Sequence, residues 1–197
     1  MNIGEFLASI NRFDLLVVLF LFGMFVLGFI QGTIRRVLGL ASMLFSFLFA
    51  ANLREPLGTY LAANWNQFSD EYAIMLGFLI VFGAATVAFT LVIQGFYHKQ
   101  SLFKKATFAD EVIGGVLGIV QGLFLIGFLI IITDTFFRIP TIAPSDQELP
   151  FIRDGWSFMN TSGTAELYRS RLIPGFLGLF GLLIPDAIQA VFVTRRP

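Results

Sequence analysis

Residues 106–133 read ATFADEVIGGVLGIVQGLFLIGFLIIIT, and the fold turns on this stretch. From Val112 through Thr133 it carries no charge, a run of 22 residues. A helix rising about 1.5 Å per residue would carry that run across a bilayer core of roughly 30 Å. Gly114, Gly118 and Gly122 recur every fourth residue, and Asp110 stands one step earlier. Four residues advance a helix by slightly more than one turn, so these positions form a slowly drifting stripe poor in side chains. In lipid an apolar side chain gains little by leaving the hydrocarbon, so close backbone approach becomes a main source of helix association. The stripe predicts a membrane helix built to be packed against by others.

Working outward, the whole chain has the same character. Of its 197 residues 56% are hydrophobic and 13% charged, against roughly 25% charged in soluble domains. With a mean hydropathy of +0.81 the class is integral membrane. Thirteen basic and thirteen acidic residues cancel, so no global field points to nucleic acid. The absence of Cys excludes disulfides, thiolate metal sites and Cys nucleophiles.

Residues 1–13 place Ile3, Phe6, Leu7, Ile10 and Phe13 at helical spacing, which predicts a short interfacial helix. With no basic leader and no small-residue cleavage site, no secretory signal is expected. Asp14 then precedes an uncharged span, 15–34, that ends in Gly28 and Gly32 and is followed by Arg35 and Arg36. Residues 37–53 form a second, shorter span, joined to the first as a tight hairpin and stopped at Pro56. A polar connection with Tyr60 and Trp65 leads to a third span, 72–97. His98, Lys99, Lys104 and Lys105 separate it from the fourth, which Asp134 and Arg138 close. Residues 139–166, with three Pro and four acids, read as an extramembrane segment. Residues 172–193 are apolar but interrupted by Pro174, Gly175, Gly178, Gly181, Pro185 and Asp186. A charge near the middle of a span costs about 3 kcal/mol, so an interfacial or re-entrant helix is favoured over a fifth span.

The expected fold is all-α: four transmembrane helices in two hairpins plus a C-terminal interfacial or re-entrant helix. Residues 1–138 would form the membrane domain with its interfacial helix, and 139–197 an extracytoplasmic segment with an apolar helix. Five basic residues flank the two hairpin turns (Arg35, Arg36, Lys99, Lys104, Lys105), against Arg12 and Arg54 on the other side. That bias puts the turns in the cytoplasm and the N-terminus and 139–171 outside.

Catalysis finds little support. The one His lies in a loop, and Asp14, Asp110 and Asp134 sit at span ends rather than paired at membrane depth. GGVLGIVQG lies inside an apolar helix, where its glycines serve packing rather than phosphate binding. No enzyme activity, cofactor or metal is expected. Asp110 in a first turn complements its helix dipole, and Arg35 and Arg36 serve as positive-inside anchors. The sharper reading pairs Arg35 with Asp110 as a clamp between the first hairpin and the fourth helix.

FDLLVVLFLFGMFVLGFIQGTIRRVLGL, with Asp14, Gly32 and Arg35, resembles the start of the colicin V production protein (CvpA) family. ADEVIGGVLGIVQG, with Asp110, Gly114, Gly118 and Gly122, resembles that family's aspartate-led glycine helix. SRLIPGF, with Ser170 and Pro174, resembles the short element after its last span. Arg36 departs from the Glu that many members carry there. The resemblance implies a small bacterial inner-membrane protein of about four spans, tied to peptide-toxin production and export or to envelope homeostasis. The expected role is that of a non-enzymatic accessory or scaffold, with a small channel or transporter as the alternative. Its partners would be the lipid bilayer and other membrane proteins, or itself as an oligomer.

Overall fold

A computed structural model describes residues 11–65, 67–96, 107–139 and 148–193. The expected interfacial helix at the N-terminus and the basic loop at 98–105 lie outside the described residues. Every regular element among those described is helical. Four helices are long and apolar enough to cross a membrane: α1 (Arg12–Gln31), α2 (Thr33–Asn64), α3 (Asp70–Phe96) and α4 (Thr107–Phe137).

The Asn11 side chain caps α1 by accepting from the Phe13 amide at 2.9 Å. A single residue, Gly32, joins α1 to α2, with its amide closing back on the Gly28 carbonyl at 2.9 Å. Its φ of +77° is open to glycine and strained for other residues. The first two helices do not form the tight hairpin expected of so short a link. They diverge at Gly32: α1 lies antiparallel along α4, and α2 along α3. Gly28, Gly114 and Gly118 let α1 reach the backbone of α4, a surface that α2 does not offer.

The second helix corrects the sequence reading. It does not stop at Pro56 but runs 32 residues to Asn64, about 48 Å. Proline withdraws its own amide and crowds the carbonyl four residues back, and tertiary packing can hold a helix past both costs. Here Gly58, two residues beyond the proline, meets the backbone of Ile74 in α3, and a Cβ on Gly77 would sit 3.2 Å from the Gly58 nitrogen. The polar connection shrinks accordingly.

The core lies where α2, α3 and α4 meet. Phe47 and Phe128 stack with ring centres 4.0 Å apart, and Phe78 stands 5.5 Å from Phe47. By contrast α1 buries only Val17 and Gly28, leaving most of its apolar surface outward.

Beyond α4 the chain folds into α5 (Pro150–Asn160), α6 (Gly163–Leu167), a π turn (Tyr168–Leu172), α7 (Ile173–Phe180) and α8 (Asp186–Val193). In the segment read as extramembrane, 150–167 is thus largely helical, and 172–193 forms two eight-residue helices rather than a fifth span. The two descend and return as a hairpin against the bundle. Phe176 reaches Phe128 and Phe47, at 5.4 and 5.8 Å. Val191 and Phe192 come back to line a cavity with Arg138 and Arg169. At the break, Gln189 donates to the carbonyls of Gly181 and Ile184, and Asn52 of α2 donates to that of Leu183 at 3.1 Å.

Candidate functional site

The residues singled out from the sequence gather at two ends of the bundle. At the Gly32 end the glycine stripe does what its spacing implied. A Cβ on Gly114 would lie 2.5 Å from the Gly28 carbonyl oxygen, and one on Gly118 would collide with that of Met24. Gly122 faces side chains instead, Leu21 at 2.9 Å and Met24 at 3.1 Å. The stripe is therefore a backbone-to-backbone seam between α1 and α4.

Asp110 crowns this seam. Its carboxylate lies over Gly32, 2.7 Å from where a Cβ would be, and so beside the start of α2 as well as in the first turn of α4. Two helix N-termini thus favour its negative charge. Thr33 donates from its hydroxyl to the Asp110 main-chain carbonyl at 2.9 Å. The carboxylate Oδ1 is buried without a hydrogen-bond partner. No ion pair joins Arg35 to Asp110 among the described residues, so the expected clamp is absent. Arg35 is half-buried, and the arginine that points inward is its neighbour. Arg36 is 5% exposed, and its Nη1 donates to Gln121 Oε1 at 2.7 Å while its Nε finds no partner. The spans are therefore not free of buried charge. Because α2 starts at Thr33, Arg36 belongs to the helix, not to a turn.

At the other end Asp134 is fully buried and fully engaged. Arg169 grips it with Nε at 2.7 Å and Nη2 at 2.6 Å, and the Trp156 indole donates at 2.9 Å. Arg138 stands 3.8 Å away, and Arg169 also donates to Asn160 at 2.7 Å. Trp156 stacks on Phe137, with ring centres 5.3 Å apart. On the same face the Arg153 guanidinium lies 5.2 Å over Phe137 and pairs with Glu148, which holds it above the ordinary arginine pKa. The Tyr72 hydroxyl accepts from the Leu149 amide at 3.1 Å.

Asp14 and the Ser170/Pro174 element also belong to this end. The Asp14 carboxylate accepts from the amides of Gly163 and Thr164, at 3.2 and 2.9 Å, and so caps α6 from across the bundle. Pro174 has no amide to return to Ser170, and a proline ring crowds the carbonyl four residues back. The chain widens there, with Ile173 bonding to Tyr168 five residues back. The π turn sends Tyr168 against Gly127, where its hydroxyl donates to the Leu123 carbonyl at 2.8 Å.

Sequence reasoning missed Asp134, Arg169 and Trp156 as a cluster, and Gln121 as the partner of Arg36. Gln121 did carry a signal, being the sole amide side chain in an otherwise apolar run. Among the described residues no group of acids and His is placed to hold a metal ion.

Four helices long and apolar enough to cross a bilayer define a multi-pass helical membrane protein. The family model described as Colicin V production protein matches residues 13–174, most of the chain, and the chain belongs to that family. No curated protein and no solved structure matches it. The match takes in both glycine-bearing helices and the Asp134–Arg169 pair and ends at Pro174.

Proposed function

We propose that the protein is a non-enzymatic accessory of the bacterial inner membrane, acting in the production or export of a colicin V type toxin, or in envelope homeostasis. The family's description supports the first part. The observation that carries the scaffold reading is the Asp134 cluster, in which the most buried acid among the described residues holds α5 and the π turn against α4. With the Asp14 cap it makes a fixed platform at one end of the bundle, on which Phe151 is exposed. Partners would be other membrane proteins or a second copy. The basic residues at the turns support placing that platform outside the cytoplasm, with the α7–α8 hairpin re-entering the membrane from the same side.

The test is complementation in toxin-producing cells that lack the chain. Wild-type protein should restore secreted toxin, and a reporter active only outside the cytoplasm should work after Glu148 and fail after Gln100. Purified protein in liposomes should pass no ions above empty vesicles; flux would overturn the scaffold reading in favour of a small channel or transporter. One observation favours that second reading: Arg36 is buried inside a span.

A further inference from the structure

Arg36 enters its surroundings as a cation without a counter-charge. It is 5% exposed, it is in no ion pair among the described residues, and its Nε is buried and unpartnered. Its one hydrogen-bond partner, Gln121, is neutral. The pair also lies deep. Eleven residues of α4 separate Gln121 from Asp110, about 16 Å of helix rise, and Gln121 is the tenth residue of the 22-residue uncharged run.

The chemistry of the pair is one-sided. A guanidinium can only donate, so Gln121 turns its carbonyl oxygen to Arg36 and its Nε2 away. That Nε2 lies 3.2 Å from where a Cβ on Gly39 would be, so glycine leaves room beside the amide. Gly39 and Gln121 are half-buried, which puts the guanidinium one side chain beneath the protein surface at this depth. We propose that Arg36 and Gln121 form a binding site for a small anion, such as chloride or a short carboxylate, within the membrane-spanning part of the bundle.

Two other sources of negative charge fit less well. A second copy could bring no acid to this depth, because residues 15–34, 37–53, 72–97 and 112–133 contain none. Lipid phosphates lie at the headgroup level, roughly half a bilayer away. Glu111 and Asp110 are the nearest acids along α4; among the described residues neither forms an ion pair with Arg36, and the Asp110 carboxylate is turned to Gly32. The proposal holds whether the protein is a scaffold or a conduit, because it concerns binding alone.

Binding to the folded state raises the unfolding midpoint. The purified full chain in detergent is titrated at constant ionic strength by exchanging sodium gluconate, whose anion is bulky, for sodium chloride or sodium acetate. The wild-type midpoint should rise saturably, by roughly 2–6 °C, and whichever of the two salts acts at lower concentration identifies the preferred anion. Arg36→Gln should abolish the response if it folds. Gln121→Glu supplies the missing charge from within, so it should melt above the wild type in gluconate and give a flat titration. A wild-type midpoint that is the same in all three salts, or a Gln121→Glu protein that still responds, overturns the proposal.

Discussion

Asp134 and Asp110 are both buried acids near the ends of α4, but the first has its oxygens taken by an arginine and an indole while the second keeps an oxygen without a partner. The difference follows from what each end must do. At the Asp134 end the chain leaves the bundle and folds back, and a dense charged network fixes that fold against α4. At the Gly32 end two helices are already held by backbone contact, and the nearby charges are left under-used. A buried ion pair contributes little net stability when formed but is costly to break from one side. Satisfied charge therefore marks an architectural joint, and unsatisfied charge marks a place where something else can bind.

The most direct way to break this comparison is to remove each carboxylate in turn. Asp134→Ala leaves the half-buried Arg169 without its acid and should cost about 3–5 kcal/mol, read as a collapse of the thermal midpoint and of monodisperse protein. Asp110→Asn should cost under about 1 kcal/mol, since the amide keeps the shape and Oδ1 gives up no bond. Equal losses would mean that the two ends are built alike. The seam between α1 and α4 comes next in size. Gly118→Leu should destabilise by about 1–3 kcal/mol because any Cβ there meets the Met24 carbonyl. Gly23→Ala, with nothing within 4 Å of its added carbon, should melt within a degree or two of the wild type. The smallest effect sharpens the account of the Asp134 end. Tyr168→Phe keeps the ring on Gly127 and loses only the bond to the Leu123 carbonyl, for about 1 kcal/mol; a larger loss would make that hydroxyl, rather than Asp134, the main tie of the π turn.

Much of the fold was legible because long charge-free runs mark spans directly and glycine at every fourth residue marks a seam that backbone alone makes. The break before α8 was legible too, since Pro185 and Asp186 are poor company for a span. Pro56 misled because its effect was judged on an isolated helix, whereas Gly58 packed on α3 holds the far side. The Arg35–Arg36 pair misled differently. Neighbours on a helix point about 100° apart, so two adjacent arginines need not share a face, and treating them as one anchor hid the inward one. The Asp134–Arg169 pair spans 35 residues; Ile152, Trp156 and Met159 recur at helical spacing between them, but only the folded chain brings the two charges together.

The seam between α1 and α4 also has a consequence in time. Gly28 and Gly114 are 86 positions apart, and synthesis proceeds at about 5–20 residues per second. α1 thus waits on the order of 4–17 s for the surface it packs against, while α2 and α3, adjacent in sequence, can pair as soon as they are made. Its other tie, Asp14 to α6, arrives later still. Of the four spans α1 waits longest for its partner, and through that interval its bare glycine face is turned to whatever the membrane offers.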